Sequence, residues 1–251
     1  MAFHRGNVRR ISILAIFIAS STWLCSGAAG QMPRCNDSGT QSELDVRAFD
    51  AAQREDAALA NERKAVLAAL DAHPDEQKLL RTAETEWDAF HKAQMAALYP
   101  LAQINPQIYG SIMPMCFGRD RQDYTKAHEE ELHWMRPSTS SCPAVDAEAA
   151  DKELNGTYQQ LLAKLGDDSY ARKALIEAER AWIPYRDAML AALVAVHPDQ
   201  TGACHRHYAA KIAKRRTRDL DAMLHPEEGD VCEYDHPISK DDLEIYGIKE
   251  P

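Results

Sequence analysis

The sequence predicts an all-α protein: two tandem disulfide-clipped three-helix units, followed by an acidic C-terminal tail. Three observations lead there. The stretch from Asp56 to Leu98 reappears without a gap 95 positions later, from Asp151 to Leu193. Within it Glu84, Trp87, Ala93, Ala97 and Leu98 lie over Glu179, Trp182, Ala188, Ala192 and Leu193, and upstream Leu59, Leu67 and Leu70 lie over Leu154, Leu162 and Leu165. Apolar residues recur at spacings of three and four, and no segment shows the period-two, β-branched alternation of a strand. Finally, the cysteines fall at corresponding places in the two copies: Cys35 and Cys142 open the units, and Cys116 and Cys204 each precede a last helix.

Each unit reads as three helices. In the first, Thr40-Gln41-Ser42-Glu43 has capping-box spacing and starts a helix running to about Ala72. Pro74 suits the first turn of a second helix carrying Leu80, Ala83, Trp87 and Phe90, which Pro100 ends. A loop from about Leu101 to Pro114 leads to Cys116 and to a third helix over roughly residues 119–135. In the second unit Leu154, Tyr158, Leu161, Leu162 and Leu165 mark one face of a 3.6-residue period. Gly166-Asp167-Asp168-Ser169 breaks and recaps the chain before a helix that buries Ala178, Trp182, Tyr185, Met189 and Leu193. Pro184 lies inside that helix and is expected to bend it. The third helix ends near Leu224, and the tail, with nine acids against two lysines, is an extended strap or disordered.

Residues 1–30 read as a secretory signal peptide: Arg5, Arg9 and Arg10, then the apolar run Ile11–Ala19, then small residues. The run is shorter than the ~20 residues of a membrane span, and Thr22-Trp23-Leu24 ahead of Cys25 is not a lipoprotein signal. The remaining divisions are a first unit over 31–136, a second over 140–226 and the tail over 227–251. Loss of the leader takes three arginines and no acids, moving the formal charge from −10 to −13. Such a surface repels nucleic acid and anionic membrane and favours cationic partners. The five cysteines left in an exported chain are expected to form disulfides. The repeat makes Cys35–Cys116 and Cys142–Cys204 the symmetric pairing, each contributing about 4 kcal/mol on a chain-entropy account. Cys232 is then left over, free or bridging two chains.

Candidate chemistry is sparse. Trp87 and Trp182 sit on apolar helix faces and are expected to pack in a core. In Cys204-His205-Arg206-His207 the histidines alternate and the cysteine has a disulfide partner, which argues against a metal site. His128-Glu129-Glu130-Glu131-Leu132-His133 resembles a zinc-protease helix, but its histidines are five apart and point to different faces. Glu129 and His133 are expected to pair on the surface. Glu179, Arg186 and Asp187 around Trp182 read as a salt-bridge network fixing helix register. With no nucleophile elbow, no phosphate loop and no duplicated acidic pair in an acid/base pattern, the chain is expected not to be an enzyme and to need no cofactor or metal.

The second unit carries Asp151, Leu154, Asn155 and Tyr158, then Glu179-Arg180-Ala181-Trp182-Ile183-Pro184-Tyr185-Arg186-Asp187-Ala188, then Cys204 and Arg216-Thr217-Arg218-Asp219-Leu220. This resembles the lysozyme inhibitor LprI-like N-terminal domain family of exported bacterial proteins. The motif core is then Trp87, Trp182, Leu154, Asn155, Tyr158, Tyr185, Arg186 and Asp187. The first unit is a degenerate copy, departing at Ala60 and Arg63, where the family has Asn and Tyr. A family cysteine pair joining helices one and two is missing: Arg47 and Met95 stand at its places in the first unit, and Leu190 at one of them in the second.

The resemblance implies a periplasmic or secreted helical binding protein with a protein partner, a cationic lysozyme, which it inhibits or against which it protects the envelope. The alternative is a periplasmic structural or protein-interaction module without lysozyme inhibition. A small-ligand or metal carrier using the histidines is the third reading.

Overall fold

The computed structural model describes residues 39–136, 142–166, 168–197, 202–226, 232, 240–245, 247 and 248, all within one compact unit, Gly39–Pro251. The expected leader and Cys35 lie outside the described residues.

Local signals set the helix ends. Helix α1, Gln41–Ala69, begins at a true capping box: Thr40 Oγ1 accepts from the Glu43 amide, and the Glu43 carboxylate accepts from the Thr40 amide at 2.8 Å. Helix α2, Pro74–Leu98, has its proline in the first turn, where the missing N–H costs nothing. A 3₁₀ turn over Pro106–Tyr109 precedes α3, Met113–His133, which starts earlier than expected because Pro114 fits the first turn instead of blocking it. Asp146 caps α4, Ala147–Leu165, and Asp168 caps α5, Ser169–Val196, each accepting an amide at 2.9 Å. Gly166 joins them with φ +53°, in the left-handed region open to glycine. α5 runs through Pro184, whose ring lies exposed, so the lost hydrogen bond falls on the solvent side. Helix α6 spans Ala203–Leu224, and a short α7, Lys240–Ile245, lies in the tail.

Among the described residues the six long helices associate as three pairs: α1 with α3, α4 with α6, and α2 with α5. The outer pairs run parallel. Asp56 of α1 meets Arg121 of α3, and further along both helices Glu62 meets His133 and Arg136. The central pair, one helix from each repeat, runs antiparallel. Phe90 and Tyr185, equivalent positions of the repeat, stack on each other with centroids 5.6 Å apart and planes 6° from parallel. A pseudo-twofold axis therefore passes beside this ring pair.

That arrangement gives the two repeats a core in common. One cluster takes in Leu59, Leu80, Trp87 and Leu132 from the first repeat together with Leu154, Trp182, Met189 and Leu220 from the second. α2 and α5 are apolar on faces that meet each other, so neither unit closes without its twin.

The disulfide expectation is half corrected. Cys142–Cys204 forms as the symmetry suggests, clipping the starts of α4 and α6 together. Cys116 bonds Cys232, with Cα atoms 5.1 Å apart, and not Cys35. The tail folds back on the first repeat, where Leu243 and Ile248 join Tyr99, Leu101 and Tyr109 in a second apolar cluster, and this brings Cys232 to Cys116. Where described, the tail is thus a strap, and Cys232 is not left over.

Candidate functional site

Aligning Cys116 with Cys204 places His128 over Arg216, Glu131 over Asp219 and Leu132 over Leu220. The pairs are equivalent in space as well, and each half holds a buried basic side chain beside the pseudo-twofold axis.

In the second half Arg216 is fully buried. Its Nε donates to Glu179 Oε1 at 2.7 Å, its Nη2 donates to the same oxygen, and its Nη1 reaches across to Gln94 Oε1 of α2 at 2.8 Å. Gln94 in turn donates to the Tyr124 hydroxyl at 2.8 Å. Asp219 stands 3.9 Å from Arg216; burial pushes its carboxyl up to about 6 against the pull of Arg216 and Arg215.

In the first half the basic group is the His128 imidazole, 1 % exposed. Nε2 lies 2.9 Å from Glu84 Oε1, and Nδ1 lies 3.3 Å from Glu131 Oε2 and 3.2 Å from the hydroxyl of Tyr185 on α5. Tyr185 donates to Glu131. Burial alone would depress the imidazole, but the hydrogen bonds and charges of Glu131 and Glu84 outweigh it and raise its pKa. Burial likewise works to raise Glu84, yet His128 and Arg63 together hold it below the usual range. Arg63 pairs with Glu84 and, at 2.8 Å, with Asp88, and its guanidinium lies 5.0 Å from the Trp87 ring centroid.

Such a site binds helices together; it presents no nucleophile or open acid to a substrate. The motif residues divide in the same way. Trp87, Trp182, Leu154 and Tyr185 are buried in the core, and Tyr158 is partly so, packed against it. Asn155 is exposed and turns back to Asp151, 2.8 Å to its carbonyl. Arg186 lies 5.2 Å from the Trp182 centroid and bonds Asp187 at 2.8 Å, while Glu179, expected to join them, serves Arg216 instead. His133 faces Glu62 at 3.4 Å, and not the expected Glu129. Cys204 of the Cys-His-Arg-His run is taken by its disulfide.

The sequence reading places His128 only in a failed zinc motif and Arg216 only in the family stretch, and it assigns neither of them, nor Gln94, to a buried bridge. One signal was available: Glu84 and Glu179 are aligned acids one turn before the aligned tryptophans, hence on the buried face, and a buried carboxylate requires a cation.

An open groove of about 300 Å³ lies on the first half, lined by His91, Lys92, Met95, Tyr99, Phe117 and Arg121 among others. His91 stacks on Trp87 at 4.6 Å, and burial, with the nearby Arg121, lowers its pKa to about 4, so the ring is neutral near pH 7. At the groove's wall the Tyr99 hydroxyl donates to Asp120 at 2.6 Å.

Among the described residues no helix is long and apolar enough to cross a membrane. No curated protein and no solved structure matches the chain. The family model described as lysozyme inhibitor LprI matches twice, over residues 33–132 and again over 135–220. Those two matches coincide with the two halves related by the pseudo-twofold axis, and the chain belongs to the lysozyme inhibitor LprI family.

Proposed function

We propose that this protein is exported and binds lysozyme, blocking its action on the cell envelope. The observation that carries the reading is the family match over both halves. Two disulfides support an oxidising compartment outside the cytoplasm. The formal charge of −10, or −13 without residues 1–30, suits a cationic enzyme and speeds encounter through long-range attraction. Exposed carboxylates along α4, among them Glu148, Asp151 and Glu153, offer a face for that encounter.

The test is a turbidity assay of bacterial lysis with the purified chain lacking residues 1–30. Protection that rises with inhibitor and weakens with salt is the expected result. Unchanged lysis at excess protein removes the reading for that lysozyme. The second reading, an envelope interaction module without inhibition, draws on one observation: much of the family motif in this chain is core packing, which constrains fold more than partner. A stable non-lysozyme partner recovered from periplasmic extract, together with unprotected lysis, favours it.

A further inference from the structure

We propose that His128 is a proton-operated latch: protonated, it ties α3 to the central pair α2/α5, and on losing its proton it releases α3, while Arg216 keeps α6 fastened throughout. The geometry supplies both halves of the statement. α3 approaches the central pair mainly through side chains, its backbone keeping company with α1. Side chains tie it there at two places: Tyr124 of α3 accepts from Gln94 of α2 at 2.8 Å, and the His128 imidazole, the titratable tie, spans Glu84 on α2 and Glu131 on its own helix and touches Tyr185 on α5.

A protonated ring has an N–H for each carboxylate. A neutral ring has one N–H for the two, so one carboxylate faces a lone pair in a site closed to water. The other groups around the ring do not repair this. Arg63 of α1 pairs with Glu84 and Asp88, but Glu131 is left with the Tyr185 hydroxyl, a neutral donor. Lys211 and Arg215 of α6 act on Glu131 and Tyr185 from a distance, without contact. Trp87 stacks on His128 at 4.3 Å and has no charge to offer, and His91 on its ring is neutral. Across the axis Arg216 cannot lose its proton, so the same event has no counterpart there.

The direction follows from linkage. A histidine favoured in its charged form by the fold gives its full stabilisation below its ordinary value of 6.5, and loses it as pH rises through the higher folded value. The latch is thus closed in acid and opens on the alkaline side. Asp219 of α6 also feels the charge of Glu131, but it titrates lower, at about 6, and is ionised before the pH passes about 7.

The experiment uses the full chain. Histidine-labelled NMR follows the His128 ring, and amide hydrogen exchange follows α3 and α6, from about pH 6 to 9, in wild type, His128→Gln and His128→Arg. The expected result is titration of His128 above 6.5, with α3 protection falling over the same range and α6 protection level above about pH 7, where Asp219 is already ionised. In His128→Gln, α3 exchanges fast at every pH; in His128→Arg its pH dependence disappears. His128 titrating at or below its ordinary value, or α3 protection staying level while the ring loses its proton, overturns the latch. Should His128→Arg fail to fold, the two wild-type measurements still decide.

Discussion

The two halves meet the same electrostatic demand from different helices. Glu84 and Glu179 are aligned carboxylates carried into one shared core, and each needs a neutralising partner. The second half supplies it from its third helix: Arg216 grips Glu179, and Tyr158 of α4 lies in the field of the same carboxylate. In the first half Arg63 stands where Tyr158 stands, and His128 where Arg216 stands. The guanidinium has moved to the first helix, and a titratable ring has taken the third. The departure at Arg63 that marks the first unit as degenerate is thus one side of a paired exchange. The tryptophans show the same shift: Trp182 lies beneath Arg186 of its own helix, Trp87 beneath Arg63 of another. An internal duplication can conserve a buried charge balance while redistributing the residues that make it.

The largest test of this comparison sets the two clips against each other. Cys232→Ser opens a loop of 116 residues and Cys204→Ser one of 62. Chain entropy assigns each about 4–5 kcal/mol, since the cost grows only logarithmically with loop length. Urea unfolding under oxidising conditions should show losses of similar size. A strap that merely hangs from the first half would show almost no loss for Cys232→Ser. Next comes Arg216→Met, which strands Glu179 in the core and should cost about 3–5 kcal/mol. An unfolding midpoint close to wild type would mean that Glu179 finds another partner or water. A smaller effect distinguishes the outer pairs. A Cβ on Gly118 would meet the Ala48 backbone at 3.0 Å, so Gly118→Ala should cost about 1–3 kcal/mol by forcing α1 and α3 apart. The equivalent residue in the second half, Arg206, is exposed, and Arg206→Ala should stay within about 0.5 kcal/mol.

Some of this was legible in the chain and some was not. The caps at Thr40 and Asp168, the first-turn Pro74 and the break at Gly166 are read within a few residues, and the structure uses each as written. Trp87 and Trp182 were legible as core because their neighbours keep helical spacing. The start of α3 was misjudged because Pro114 serves equally as a stop or as a first-turn residue, and only the packing of Ile112 and Met113 on the second cluster favours the latter. The groove beside His91 left no trace in the sequence, because α2, the loop after it and α3 each contribute a few residues to it.

By itself the sequence determined the helical class, the duplication, the helix ends other than the start of α3, and the clip Cys142–Cys204, because each follows from short-range spacing or from comparing one copy with the other. The tertiary structure decided what the copies do together: the antiparallel α2/α5 joint, the single shared core, the partners of His128 and Arg216, and the bond from Cys116 to Cys232. The physical reason is that apolar burial has no direction in sequence. Two faces that match can close on each other as readily as on their own unit, and a tail with a few apolar residues will settle wherever an uncovered cluster remains.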